Sequence, residues 1–211
     1  MTAGSLILLA ALLVAGAAFL AERLSPRFSG VPAPVAPPRG SAAAGMVYAF
    51  TLAFGPGAKE SASLHLPSYL AGIAYHLGIF AAIARLLTTL VPVTVPPAVD
   101  VTAVVLFAVG LGCGLTLLGK RVFDARLRAI SVPDDFLANL LVDTTLVTGI
   151  VASLDHSLVA LFQVTGAALL VYAPLGKLRH MLFLLVSRRW LGATLGRRGV
   201  RPSPPPGVSR G

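Results

Sequence analysis

The chain has 211 residues, of which 56% are hydrophobic and only 12% are charged, and its mean hydropathy is +0.85. A soluble domain carries about 25% charged residues, so this composition excludes an ordinary water-soluble domain and predicts an all-α integral membrane protein. The formal net charge of +9 does not indicate nucleic-acid binding, because the basic residues fall in connections and in the tail, where membrane topology accounts for them.

Five apolar segments reach or approach the roughly 20 residues that a transmembrane helix needs. They cover residues 5–20, 66–90, 101–118, 136–154 and 157–186. The first could be a cleaved signal peptide, but no basic residue precedes it, so we expect a retained helix with its N-terminus outside. Residues 131–135 predict the start of the fourth helix, and Pro174 predicts a kink in the fifth.

The remaining segments give the predicted organisation. Residues 42–54 are apolar but too short to span, so we expect an interfacial or re-entrant segment, with a sixth spanning helix as the alternative. Residues 32–40 predict a Pro-rich connection, and residues 199–211 a disordered tail. The predicted regions are helix 1 at 1–22, a cytoplasmic loop at 23–65, a four-helix membrane core at 66–190 and a basic cytoplasmic tail at 191–211.

The basic residues predict the orientation of the chain. The loops after helices 1 and 3 and the tail contain all the lysines and arginines of the connections, whereas residues 91–100 and 155–156 contain none. Cytoplasmic loops are enriched in Lys and Arg, so five crossings place the C-terminus in the cytoplasm. We therefore expect a multi-pass protein of the cell inner membrane.

Two histidines inside the predicted helices form a candidate haem site. A six-coordinate haem b needs two axial imidazoles at one depth on facing helices. On the predicted topology, His76 in the second helix and His180 in the fifth can meet in the inner half of the membrane. Gly72 and Gly176 each precede one of these histidines by four residues and would leave room for a porphyrin edge. Packing or interfacial histidines are the alternative interpretation.

Charged residues near the candidate ligands have two interpretations each. Lys177 and Arg179 are placed to pair with haem propionates at the aqueous boundary. Asp143 is a candidate acceptor for a quinol proton, or a member of a hydrogen-bond network with Asn139 and Thr144.

The other notable residues carry weaker signals. His65 is a reserve ligand or a second candidate at a quinone or proton site, although an interfacial position also explains it. His156 is expected at the outer surface. Arg85 would bind a carboxylate or extend towards water. Cys113 predicts close helix packing, and as the single cysteine it excludes a disulfide framework or an iron–sulfur cluster built from this chain's thiolates.

Three stretches carry a family resemblance: residues 75–80 (YHLGIF), 126–136 (RLRAISVPDDF) and 174–181 (PLGKLRHM). Over residues 67–198 the chain resembles the membrane cytochrome b of the respiratory nitrate reductase gamma-subunit superfamily. That superfamily includes membrane subunits of heterodisulfide-reductase-like and sulfite-reductase-associated complexes.

The resemblance implies a five-helix bundle with haem b between helices 2 and 5, and it places the inner axial ligands on His76 and His180. It implies electron transfer between menaquinone or ubiquinone and a cytoplasmic Fe–S subunit, within a hetero-oligomer that is not catalytic through this chain alone. The positions of an outer ligand pair hold Leu86 and either Phe162 or Gln163. We therefore expect one haem rather than two.

Two other functions remain open at this point. The chain could be a haem-free membrane anchor that recruits a soluble redox complex. It could also be a small transporter, with Asp143 and Arg85 lining a path. A b-type absorption band would distinguish the cytochrome from the anchor, and substrate-dependent flux would identify the transporter.

Overall fold

The structure is a computed structural model that describes residues 2–25, 37–58 and 60–200. These residues form helices and no strands. The α-helices are α1 (Ala3–Leu24), α2 (Ala42–Phe50), α3 (Glu60–Leu64), α4 (Leu66–Thr88), α5 (Pro97–Phe123), α6 (Ala125–Ala129), α7 (Pro133–Leu154), α8 (Val159–Tyr172) and α9 (His180–Arg197). Most of the predicted connection at 32–40 and nearly all of the predicted tail at 199–211 lie outside the described residues.

The predicted membrane fold is confirmed at the level of its helices. Helices α1, α4, α5 and α7 are each long and apolar enough to cross a membrane, and α8 with α9 makes a fifth span if that broken pair is counted as one. Helix α7 starts within the predicted stretch, where the Asp135 carboxylate accepts a hydrogen bond from the Val132 N–H at 3.0 Å. An acidic residue in the first turn satisfies an unpaired donor there.

The predicted kink at Pro174 is a complete break in the helix. Helix α8 ends at Tyr172, the chain turns, and a 3-10 turn at Lys177–Arg179 precedes α9. Proline removes a backbone donor and its ring crowds the preceding turn. The N–H groups of Leu175 and Gly176 both donate to the Tyr172 carbonyl at 2.9 Å, so the turn satisfies this carbonyl without continuing the helix.

The chain forms two compact units. Unit 1 comprises Met1–Ala21 and Pro67–Arg179, and unit 2 comprises Glu22–Leu66 and His180–Gly211. The sequence-based division assigned residues 180–190 to the membrane core, whereas their contacts group them with residues 22–66.

Side chains packed between helices form the core of unit 1. The Phe107 and Phe162 rings lie 6.3 Å apart, and both are fully buried. Gly149 makes room for them, because a Cβ there would lie 3.0 Å from each ring. Helices α4 and α5 approach closely where Gly78 faces Gly110. Lipid is as apolar as these side chains, so close van der Waals packing holds such helices together.

Unit 2 pairs α2 with α9 through glycines. A Cβ on Gly45 would lie 2.5 Å from the Gly196 Cα and closer still to the Gly192 carbonyl oxygen. The Arg188 guanidinium donates to the Ala49 carbonyl at 2.9 Å and lies 4.2 Å from the Phe54 ring centroid. The predicted short apolar segment is therefore helical and packed on α9, and its interfacial location stays a prediction.

Candidate functional site

His76 lies on the exposed side of α4 in unit 1. Its Nδ1 is 2.7 Å from the Gly72 carbonyl oxygen, and its ring centroid is 6.1 Å from that of Phe80. A histidine that donates from Nδ1 to a backbone carbonyl carries its lone pair on Nε2, which is the arrangement found in many metal-ligating histidines. No atom lies within 4 Å of a Cβ built on Gly72, so the space beside this histidine is open, as predicted.

His180 is the first residue of α9 and belongs to unit 2, whereas His76 belongs to unit 1. Its side chain is exposed and lines an apolar groove of about 480 Å³ along α9. The other lining residues are Phe183, Leu184, Val186, Ser187 and Trp190. The groove therefore offers one imidazole among mostly apolar side chains.

The expectation that Gly176 leaves an open space is wrong. Gly176 lies in the turn after α8, and the Tyr172 ring fills the space that its missing side chain leaves. The Tyr172 hydroxyl donates to the Asp134 carboxylate, which fixes the ring there. Because Pro174 ends the helix, Gly176 and His180 do not share a helix face, although they are four residues apart.

The predicted cationic partners of haem propionates lie in the 3-10 turn before α9. The Lys177 ammonium binds the Asp135 carboxylate at 2.5 Å, and Arg121 contacts the same carboxylate at 3.3 Å. Lys177 therefore binds Asp135 within unit 1, a partner that the sequence analysis did not predict. Arg179 is exposed in the same turn.

Asp143 is buried and belongs to a partly buried hydrogen-bond network between α4 and α7. Its side chain accepts from the Tyr75 hydroxyl at 2.8 Å and from the Asn139 amide at 2.7 Å. The predicted network with Asn139 is confirmed, but Thr144 is exposed and Tyr75 takes its place. Tyr75 was missed because it precedes His76 in an apolar run, although a buried tyrosine hydroxyl generally needs a partner.

Arg85 binds a carboxylate from the chain itself. Its Nε and Nη2 donate to Asp100 Oδ1 at 3.1 and 2.9 Å, and Nη1 donates to the Thr88 hydroxyl at 2.9 Å. The exposed His156 lies 3.8 Å from the other oxygen of Asp100. This ion pair gives Arg85 a structural role, since most of both side chains is buried.

The remaining candidate positions are distributed differently. His65 is exposed in the turn between α3 and α4, and Cys113 is half-buried in α5. The positions that match an outer ligand pair are packed in the core. Leu86 fills the space over Gly166, and Gln163 donates to the Ser5 and Thr89 hydroxyls at 3.2 and 3.0 Å.

Within the described ranges, no three His, Cys, Asp or Glu side chains cluster in a way that could hold a metal ion. A haem requires only two axial side chains, so this finding bears on ions bound by protein ligands alone. Comparison with protein-family models, with curated proteins and with solved structures found no match to this chain.

Proposed function

We propose that the protein is the haem b-containing membrane subunit of a respiratory complex. It transfers electrons between the quinone pool and a cytoplasmic Fe–S partner, and His76 and His180 are the two axial ligands of one haem. The observation that carries this proposal is the environment of His76, a histidine on an apolar helix with an oriented imidazole and open space beside it.

The residues present fit a haem at His76 for three reasons. The Gly72 carbonyl oxygen fixes the ring through Nδ1 and leaves Nε2 as the ligating atom. The missing side chain at Gly72 leaves the space that a flat macrocycle needs. Exposed apolar residues of α4, such as Phe80 and Ile73, would contact the porphyrin face or lipid.

His180 fits as the second ligand through its own surroundings. The groove on α9 supplies apolar contacts and the Ser187 hydroxyl around the imidazole. Arg179 precedes it and would pair with an anionic propionate. Gly176 supplies no space, so on this side the apolar residues of the α9 groove would contact the haem.

The packing of unit 1 supports one haem rather than two. Leu86, Phe162 and Gln163 are each at most 2% exposed. A second macrocycle at these positions would have to displace this core. The haem supplies one-electron chemistry when bound; the chain orients its ligands, limits water and sets the charge around it.

The basic connections support an orientation with the C-terminus in the cytoplasm, and the proposed respiratory role would place the protein in the cell inner membrane. The redox partner would then dock on the side that carries Arg126 and Arg128, which are exposed. The acidic residues nearest to them in sequence are engaged within the chain: Asp124 caps α6, Asp134 accepts from the Tyr172 hydroxyl, and Asp135 binds Arg121 and Lys177.

A reduced-minus-oxidised spectrum of the purified protein tests the proposal. We expect a b-type band that is lost in both His76→Ala and His180→Ala. The matched controls are His65→Ala and His156→Ala, which remove the other two histidines and should keep the band. No band in the unmodified protein, isolated with its complex, would contradict the cytochrome and leave the haem-free anchor.

A further inference from the structure

We propose that Asp143 is a proton-holding group, which takes up one proton as one electron reaches the haem at His76. This inference rests on the proposed function and adds a residue to it. The evidence for this role is the hydrogen-bond network of Asp143.

The site is built from three helices of unit 1. Helix α4 supplies the Tyr75 hydroxyl, α7 supplies Asn139 and Asp143, and α5 approaches through Gly114. A Cβ on Gly114 would lie 2.5 Å from the Tyr75 ring and would also strike the Asp143 carboxylate. The network therefore occupies a niche that only glycine leaves, and Asp143 is 5% exposed within it.

The network accommodates two protonation states without moving a heavy atom. With an ionised Asp143, the Tyr75 hydroxyl donates to Oδ1 at 2.8 Å. With a protonated Asp143, the carboxyl O–H donates to the Tyr75 oxygen, and Tyr75 turns its own proton to the Asn139 backbone carbonyl at 3.2 Å. The Asn139 amide donates to the Tyr75 oxygen and to Asp143 Oδ2 in both states, at 3.0 and 2.7 Å.

No cation fixes Asp143 in the ionised state within the part of the chain that the structure describes. The titratable group facing it from α4 is the Tyr75 phenol, α5 presents Gly114, and α7 itself contributes the neutral Asn139. A buried carboxylate without an ion partner is sensitive to nearby charge, because the surrounding dielectric is low.

The position of Asp143 couples it to the proposed ligand. Tyr75 and His76 are consecutive in α4, so the network and the haem ligand lie on different faces of one helix. When a quinol supplies an electron to the haem, the site gains one negative charge. Asp143 compensates by forming an O–H bond with a proton from hydronium, which leaves as water, and it releases that proton when the electron moves to the Fe–S partner.

Infrared and potentiometric measurements on the purified haem-loaded protein test this inference. In the reduced-minus-oxidised infrared spectrum, we expect a carbonyl band of a protonated carboxylic acid that Asp143→Asn removes and Tyr75→Phe shifts. The midpoint potential of the haem should fall as pH rises, by up to about 59 mV per pH unit. For one electron, this is a tenfold change in the equilibrium constant. Asp143→Asn, which keeps an acceptor for Tyr75, should remove that part of the dependence.

Surface carboxyls and haem propionates provide the internal control. They all remain in Asp143→Asn, whereas the control Asp155→Asn removes one exposed carboxyl and keeps Asp143. Only a band that is lost in Asp143→Asn and kept in Asp155→Asn therefore counts. Identical bands and identical pH dependence in a variant that still binds haem would overturn the role of Asp143 and leave the proposed function intact. Absence of a haem band in the wild type would overturn both.

Discussion

Different kinds of contact stabilise the inside of each of the two units. In unit 1, Gly78 and Gly110 approach closely, but large side chains and polar groups also reach across helices, as with Phe107 against Phe162 and Tyr75 against Asp143. In unit 2, α2 and α9 meet backbone to backbone at Gly45, Gly192 and Gly196. The Arg188 side chain adds to this second contact, but at the three glycines the two backbones approach each other directly.

This difference predicts different responses to substitution. A side-chain core can rearrange rotamers and lose part of its packing, so single changes have graded effects. A backbone contact cannot yield in this way, because each atom added between the helices must push them apart.

The largest effect is expected for Gly45→Leu, which inserts a side chain into the backbone contact between α2 and α9. We expect a loss of about 3 kcal/mol or more in the free energy of unfolding in detergent, since no neighbouring side chain can move aside. Trp190 lies in α9 and is the single tryptophan of the chain, so its fluorescence reports on this unit. Gly112→Leu is the matched control, because a Cβ there meets no atom within 4 Å. Equal effects of the two changes would contradict the backbone contact.

The next largest effect is expected for Arg85→Leu, which leaves Asp100 without its ion partner. The two side chains are 10% and 15% exposed, so we expect a loss of about 3 kcal/mol, the lower end for a buried pair. The double change Arg85→Leu with Asp100→Leu removes both charges and should recover much of this stability. If the double variant is less stable than Arg85→Leu, the unpaired charge is not the cause.

A smaller effect is expected for Gly114→Ala, which places a methyl group against the Tyr75 ring and the Asp143 carboxylate. The crowded atoms belong to side chains that can shift, so we expect a loss of about 1–3 kcal/mol in the free energy of unfolding. Gly112→Ala, two residues earlier in the same helix, should be neutral or slightly stabilising, because alanine favours helix and nothing is displaced. If Gly114→Ala leaves the free energy of unfolding unchanged, the Tyr75 and Asp143 side chains do not fill the space beside Gly114.

The smallest effect concerns pH and Asp155, in the turn between α7 and α8. The Ser157 side chain and the Ser157 N–H, which donates at 2.9 Å, both hydrogen-bond to the Asp155 carboxylate, and these interactions lower the pKa of Asp155. Because the folded pKa is below the unfolded one, the ionised cap stabilises the turn above the unfolded pKa. That stabilisation is lost as pH falls through the folded pKa, below about pH 4.

The NMR shift of the Ser157 amide measures this titration. We expect it to change only in the acidic range in the wild type and to stay constant in Asp155→Asn, which keeps an acceptor oxygen but cannot ionise. A midpoint at or above the pKa of an unstructured aspartate would contradict the assigned cap.

The sequence predicted the elements that depend on local pattern. Apolar length identified α1, α4, α5 and α7, and the acidic stretch at 131–135 identified the start of α7. It also predicted a kink at Pro174, where the structure has a complete break. These features are determined by residues that are close together in the chain, so they can be predicted from a single sequence.

The features that the sequence did not predict depend on distant partners. Asp100 as the partner of Arg85, and Tyr75 as a partner of Asp143, require knowledge of which helices face each other. The filling of the Gly176 space by Tyr172 depends on how sharply the chain turns after Pro174. The sequence does not show whether the space beside a glycine is open, as at Gly72, or filled by another side chain, as at Gly176.

The pairing of α2 with α9 has a consequence for biosynthesis. Of the 211 residues, 146 lie between Gly45 and Gly192, so α2 leaves the ribosome long before its partner is made. Contacts between distant segments form late and leave early segments exposed to aggregation. During translation, α2 must therefore be sheltered by lipid or by a chaperone until α9 arrives, and a ribosome that stalls before residue 192 leaves a nascent chain that quality control can recognise by this unpaired helix.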